Sequence, residues 1–274
     1  MSQEHGQPFA RTSWEWSCYF QSNTLRHQQV EWEPLESLTE LEQTAVARSI
    51  QIFQLGESGE GRHFLKCAER EAERSGDWMY LRALRMFLHE EHRHADYLGQ
   101  VLQASNVPTL QKNWTDGIFR WLRHRAGLEL TIMVLLTAEL IAQVYYQALR
   151  DSTTNRRLRQ ICRIVLRDEQ SHVRFQAERL ALLRMSQTHV RRWLTRCFEY
   201  SLFLLTITVV WFTHRPVFRA AGMSWKCYWA KLWRCFHRSQ ALSQPNSVVS
   251  ANAKGVAALL PSVHNDSYPA KWLD

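Results

Sequence analysis

Four glutamates of this 274-residue chain lie within the apolar stripes of four expected helices. Apolar residues recur at three-to-four spacing over about 38–74, 77–104, 118–150 and 155–186, which predicts a long helix in each range. In phase with these apolar residues are Glu57, Glu91, Glu139 and Glu169. A carboxylate on a buried face is costly unless it is protonated, paired or bound to a cation. Four such carboxylates therefore require one common explanation.

Two of these glutamates are followed by a histidine three residues later. The motifs are Glu91-His92-Arg93-His94 and Glu169-Gln170-Ser171-His172. Residues at i and i+3 project from the same face of a helix, so each pair should point into the bundle. His89 and His92 fall off the apolar stripe and are expected on a solvated face.

The first helix contains a third match to the same motif, from Glu60 to His63. Glu57 is better in phase with the apolar stripe, so Glu60 is the alternative to Glu57 and His63 is expected to face solvent. Tyr146 shares the stripe of Glu139, and a core aromatic is favoured there over a residue that supports the site. For Tyr97, too, a core aromatic is favoured over a residue that supports the site.

One glutamate from each of two helices, with Glu-x-x-His from each of two others, is the ligand pattern of di-iron carboxylate bundles. Over about 45–185 the chain resembles the ferritin-like superfamily, which includes ferritins, rubrerythrins and di-iron oxygenases. Gly56-Glu57-Ser58, followed by Phe64 and Ala68, is similar to the first helix of rubrerythrins. The resemblance implies two iron ions, with manganese–iron as the alternative pair. It implies as ligands Glu57, Glu91, His94, Glu139, Glu169 and His172.

The departures from this family narrow the expected function. Rubredoxin-like electron relays need C-x-x-C pairs, and none of the six cysteines forms one. Ferritin subunits lack a basic, Trp-rich extension. The leading hypothesis is an O2-activating oxidase or monooxygenase acting on a small-molecule or lipid-like substrate. The alternatives are a non-catalytic metal-binding bundle for iron handling or peroxide sensing, an enzyme resembling tRNA hydroxylases, and a structural bundle without metal.

The predicted fold is all-α, a ferritin-like four-helix bundle with additional C-terminal helices. A capping-box match at Ser37-Leu-Thr-Glu40 marks the start of the bundle. Two further helices are expected after the bundle, separated near Arg215-Pro216. The expected segments are an irregular N-terminal extension (1–37), the bundle (38–186), a basic Trp-rich helical appendage (187–238) and a flexible tail (239–274).

The basic charge of the chain is concentrated in the appendage. Residues 190–238 hold nine Lys and Arg against Glu199 alone, and this balance of +8 equals that of the whole chain. Peripheral membrane contact through 190–238 is one interpretation, and helices capping the bundle are the favoured one. Nucleic-acid binding is not favoured.

The expected localisation is cytoplasmic, with membrane association as an option, because the N-terminus has no apolar signal region. No transmembrane span is expected, since the longest uncharged run, Tyr200–His214, has 15 residues. No motif in the chain supplies electrons, so an external reductase or ferredoxin is the expected electron donor.

Overall fold

A computed structural model describes residues 10–59, 61–112 and 127–245, and these ranges contain helices and no strand. The all-α prediction is confirmed. In chain order the helices are α1 (Ser13–Gln28), α2 (Glu40–Glu42), a π-helical turn (Gln43–Ala47), α3 (Arg48–Glu57), α4 (Arg62–Ser75), α5 (Trp78–Ala104), α6 (Leu128–Asp151), α7 (Arg156–Arg184), α8 (His189–Ala220) and α9 (Trp225–Leu242).

The first predicted helix is divided between α3 and α4. Gly61 adopts a left-handed φ of 60°, which an L side chain rarely adopts, and a Cβ there would lie 2.5 Å from the Leu88 side chain. The helix therefore ends at Glu57 and restarts at Arg62. The cap at its beginning is also displaced, because Thr39 and Glu42 form the capping box in place of Ser37 and Glu40.

The other three predicted helices correspond closely to α5, α6 and α7. α6 packs along α7, and α5 contacts both α3 and α7. Their facing sides bury large apolar side chains, including Leu84, Phe87, Ile132 and Val165. The first ten residues of the predicted third helix, 118–127, lie largely outside the described ranges.

The N-terminal segment differs from the irregular extension expected for 1–37. Residues 13–28 form α1, which begins with a capping box between Thr12 and Glu15. α1 packs against α5 through buried Trp16 and Phe20. This prediction of irregular structure is wrong for residues 13–28, which form α1.

The helix break expected near Arg215-Pro216 is present as a kink, after which the helix resumes. α8 continues through Pro216 to Ala220, with a kink at His214, whose φ and ψ are −110° and 15°. The separation from α9 falls at Gly222, which has a φ of 67°. Buried Phe218 stacks on Trp211 across the kink, with ring centroids 5.4 Å apart. The flexible tail expected from 239 begins too early, because residues 239–242 belong to α9 and bury Ser239 and Gln240; residues from 246 onward lie outside the described ranges.

Two helices are long and apolar enough to cross a membrane, namely α6 and α8. Length and composition alone do not distinguish a membrane span from a core helix, so the expectation of no transmembrane span stays a prediction. A core helix passes the same test, and in α6 67% of the apolar window is buried. In α8 the buried share is 44%.

Candidate metal centre

The six residues expected as metal ligands meet in the interior of the helical protein. Glu57 is the last residue of α3, Glu91 and His94 lie on α5, Glu139 on α6, and Glu169 and His172 on α7. All are buried except Glu91, whose side chain is 14% exposed. Each side chain points inward because it occupies a position of its helix's buried stripe.

These residues form two overlapping sets of donor atoms. One set contains Glu57, Glu91, His94 and Glu169, and the other contains Glu91, Glu139, Glu169 and His172. Within each set the donor atoms lie within 4.8 Å of one another. Each set has one imidazole nitrogen and three carboxylates, and the sets share Glu91 and Glu169. This buried cluster could bind metal, and the two shared carboxylates stand where they could bridge two ions.

Both histidines present Nδ1 to the cluster. His94 Nδ1 lies 3.7 Å from Glu91 Oε1 and 3.7 Å from Glu169 Oε1. His172 Nδ1 lies 3.1 Å from Glu91 Oε1 and 3.6 Å from Glu139 Oε2. The other ring nitrogen of each histidine faces away from the cluster, toward an outer carboxylate.

Each histidine contacts an outer carboxylate that lies on the other histidine's helix. His94 Nε2 lies 3.3 Å from Asp168 Oδ2 on α7, and His172 Nε2 lies 3.0 Å from Glu90 Oε2 on α5. A proton on Nε2, donated to the carboxylate, leaves the lone pair of Nδ1 available as a ligand. Asp168 and Glu90 thus orient both imidazoles for metal binding.

α1 completes this outer layer. The Asn23 amide donates to Glu90 Oε1 at 2.7 Å and to Asp168 Oδ1 at 3.0 Å. His27 Nε2 lies 2.9 Å from Asp168 Oδ2, and its Nδ1 lies 3.1 Å from the Tyr97 hydroxyl. α1 therefore links α5 and α7 behind the cluster and fixes the two outer carboxylates.

Three of the four carboxylates in the cluster resist ionisation. Burial raises the pKa of Glu57 and Glu169 well above the ordinary value, and the charges of nearby carboxylates raise it further. Burial and the charge of Glu139 also raise the pKa of Glu91. Burial opposes ionisation of Glu139 too, but contacts with Glu169 and His172 lower its pKa. Protons held by such a cluster must leave when a cation binds.

The outer layer differs electrostatically from the inner cluster. Burial alone would raise the pKa of Asp168, but hydrogen bonds with His27 and His94 outweigh it and hold that pKa well below its ordinary value. Asp168 is therefore a stable anion. A permanent negative charge behind His94 favours the tautomer with its proton on Nε2, which leaves the Nδ1 lone pair toward the cluster.

Several polar atoms in the cluster have no well-aligned hydrogen-bond partner, although they face one another across 3.1 to 3.8 Å. They are Glu91 Oε1, both oxygens of Glu169, and Nδ1 of His94 and His172. Buried polar atoms are normally paired, and orphaned ones call for an explanation such as an ion. All of these atoms belong to the two donor sets, so the residues present fit a metal.

The remaining sequence expectations have mixed outcomes. Tyr146 is buried and donates to Glu57 Oε1 at 3.0 Å, so it contacts the cluster directly. His63 is half-buried, with Nε2 3.4 Å from Cys67 Sγ, where a solvent-facing position was expected. His89 is exposed, as expected, and His92 Nε2 donates to the Gly59 carbonyl at 3.0 Å. Glu60 lies outside the described residues.

A cavity of about 440 Å³ adjoins the cluster. Glu57 and Glu91 belong to its wall, together with apolar Phe64, Phe87 and Leu135. Its volume lies within the range of small-molecule pockets, roughly 300–1,000 Å³. Small molecules that enter it would meet two of the candidate ligands.

Sequence reasoning missed the outer layer, although a signal for part of it is present. In both motifs an acid directly precedes the ligand glutamate, giving Glu90-Glu91 and Asp168-Glu169. The repeated acidic pair marks the residues that orient the histidines. Asn23 and His27 carry no comparable signal, because their partners lie on helices distant in the sequence.

Comparisons with models of known protein families, with curated proteins and with solved structures found no match. The class that the fold and site define is therefore an all-helical protein with a buried Glu/His cluster that could bind metal.

Proposed function

We propose that this chain is a ferritin-like, non-haem di-iron protein that uses O2 to oxidise a small-molecule or lipid-like substrate. The observation that carries the proposal is the pair of donor sets that share Glu91 and Glu169. Sharing two carboxylates suits two cations held side by side, because each bridging carboxylate neutralises part of both charges.

Iron is the proposed metal because the donor set combines carboxylate oxygen with one imidazole per ion. Carboxylate and imidazole suit iron and manganese, and the absence of cysteine ligands disfavours soft metals. The alternative is a mixed manganese–iron pair. A reduced iron pair supplies the electrons that O2 accepts, which no amino-acid side chain of this cluster can do.

The chain's own residues prepare the site for this chemistry. Asp168 and Glu90 hold the two imidazoles with Nδ1 toward the ions. The Tyr146 hydroxyl, donating to Glu57, holds a proton next to the first ligand. The ring of Phe87 packs edge-on against His172 at 4.7 Å and excludes water from that side.

The proposed reaction needs an external electron donor, a reductase or a ferredoxin. No cysteine pair in the sequence could carry a second redox centre. Substrate is expected in the cavity beside Glu57 and Glu91, whose wall combines apolar side chains with the cations Arg62 and Lys66 and so suits molecules with both an apolar and a polar portion.

The test of this proposal is O2 consumption by protein loaded anaerobically with Fe(II). Wild type should consume O2 faster than the same amount of free Fe(II), whereas Glu139→Ala should not. Glu178→Ala is the matched control, since Glu178 is a buried glutamate on α7 that bonds Trp16 outside the cluster. Wild-type protein that retains iron and reacts no faster than free Fe(II) would instead favour a metal-binding bundle without turnover.

A further inference from the structure

α8 carries an exposed apolar stripe that no described element covers. Its exposed large apolar residues are Val190, Trp193, Leu194, Phe198, Leu204, Leu205 and Phe212. At roughly 100° per residue these positions fall within about 140° of the helix circumference, so they share one broad face of the helix. From Val190 to Phe212 the stripe extends for about 33 Å at 1.5 Å per residue. A monomeric protein rarely exposes a continuous apolar surface of this extent without a partner.

The opposite face of α8 belongs to the protein core. Phe203, Ile207 and Trp211 are buried there, and α8 packs against α6. The acid of this helix, Glu199, is also buried, 2.7 Å from Arg184. α8 is thus fixed to the bundle by one face, so its stripe can meet a surface but cannot be surrounded by lipid on all sides.

Basic residues flank the stripe at both ends. Arg191, Arg192 and Arg196 lie in its first turns, and Arg215 and Arg219 follow its last aromatic residue. Arg192 and Arg196 form no ion pair with any acid among the described residues, whereas Arg184 and Arg191 lie near Glu129. The partner of this surface must therefore be apolar in the middle and able to accept positive charge at its edge.

A small cleft lies beside the stripe at the beginning of α8. Its volume is about 160 Å³, and it is lined by Arg184, His189, Arg192, Trp193 and Arg196 together with 243–245. Arg192 Nε is buried there without a hydrogen-bond partner. The helix N-terminus adds positive potential to the guanidinium groups, and this combination favours a phosphate. Trp193 belongs to both the cleft and the stripe.

We propose that α8 docks on an anionic phospholipid surface, with the stripe in the interfacial region and a lipid phosphate in the cleft. Tryptophan and arginine are both typical of such an interface. A second copy of the chain fits less well, because a symmetric contact would bring the same unpaired arginines together. The two longest stretches outside the described ranges offer no excess of negative charge, since 113–126 has more basic than acidic residues and 246–274 is balanced.

This docking does not depend on the metal centre, and a vesicle experiment tests it directly. The full chain is sedimented with vesicles of phosphatidylcholine alone or with one quarter phosphatidylglycerol. Wild type should bind the anionic vesicles more tightly, and salt should weaken that binding. Circular dichroism and the thermal midpoint establish that each variant is folded.

Three variants separate the parts of the surface. Arg192→Gln with Arg196→Gln should weaken binding to anionic vesicles about 25-fold, at about fivefold per arginine. Leu194→Gln with Leu205→Gln should weaken binding to both kinds of vesicle by about tenfold per leucine. Leu41→Gln is the matched control and should bind as wild type does, because Leu41 is 85% exposed on α2, away from the stripe.

Three results would overturn the proposal. The first is wild-type protein that stays in the supernatant with anionic vesicles, even if inorganic phosphate binds the cleft. The second is vesicle binding that the Leu194 and Leu205 substitutions leave unchanged. The third is a wild-type dimer in light scattering that these substitutions convert to monomer, which would assign the stripe to a second copy.

Discussion

Asp168→Asn should weaken metal binding without removing any ligand. The substitution keeps the shape of the side chain but replaces one acceptor oxygen with an amide that donates. Wild-type Asp168 accepts from His94 at 3.3 Å, from His27 at 2.9 Å and from Asn23 at 3.0 Å. The neutral amide cannot satisfy all three donors, so the His94 ring loses its fixed orientation and tautomer.

The magnitude follows from the role of such outer carboxylates, whose loss costs about 10- to 100-fold in metal affinity. Both oxygens of Asp168 are used, which places the expected loss in the upper part of that range, about 30- to 100-fold. This corresponds to about 2–2.7 kcal/mol of binding free energy. Glu90→Gln should behave alike, since Glu90 holds His172 in the equivalent position at 3.0 Å.

The assay is an anaerobic Fe(II) titration in competition with a chelator. Asp96→Asn serves as the control, because Asp96 is an exposed acid on α5 close to His94 in the sequence. The reasoning would be refuted if Asp168→Asn, folded and with a wild-type thermal midpoint, bound Fe(II) within about threefold of wild type.

Three further predictions concern stability and pH. Glu42→Gln should lower the free energy of unfolding by about 2 kcal/mol at pH 6 in urea titrations, because this capping carboxylate accepts several hydrogen bonds. Despite the opposing effect of burial, those bonds lower the pKa of Glu42 to about 2. The contribution of the Glu42 carboxylate to stability is thus complete above its ordinary pKa of 4.5 and is lost as pH falls from there toward 2. Equal losses of unfolding free energy in Glu42→Gln at pH 6 and pH 2 would contradict this. Gly61→Ala should lower the unfolding free energy by about 2 kcal/mol, because the residue has a left-handed φ and the added Cβ would also meet the Leu88 side chain. Gly76→Ala, where φ is 77° but the space is open, should lower the unfolding free energy by only about 1 kcal/mol. Equal losses would contradict a cost from the contact with Leu88. Fe(II) affinity should fall as pH decreases, because the raised pKa of Glu57 favours its protonated form, and pH-independent calorimetric affinity between pH 6 and 8 would contradict this.

The sequence predicted the inner cluster because buried carboxylates break a regular pattern. α5 runs from Trp78 to Ala104, against an expected 77–104, since its apolar period is long and its caps are clear. Glu91 and His94 were detectable because both lie in phase with this period. Their neighbour Glu90 was missed even though an acid precedes the ligand glutamate in both motifs, because its partner His172 is on another helix and local sequence does not identify it.

The N-terminal helix could not be predicted from apolar periodicity. The buried positions of α1 include Asn23 and His27 as well as Trp16 and Phe20. The two polar residues are buried because they bond to Glu90 and Asp168, so the buried face is only half apolar. A pattern that counts apolar residues does not detect a face stabilised by hydrogen bonds over long sequence distances.

The choice between overlapping caps was also decided by tertiary contacts. Both Ser37–Glu40 and Thr39–Glu42 match the capping-box pattern. Glu42 also accepts hydrogen bonds from Thr153 and the Thr154 backbone before α7, which selects the second match. Local sequence cannot distinguish two caps when the deciding partner is over a hundred residues away.

The most direct test of the metal centre is the metal content of the full chain, expressed with iron, purified anaerobically and analysed by mass spectrometry. Wild type and Glu178→Ala should each carry about two irons per chain. Glu91→Ala and Glu169→Ala should each lose both, because these residues belong to both donor sets. Metal-free wild type, or iron content that neither substitution changes, would contradict the di-iron assignment.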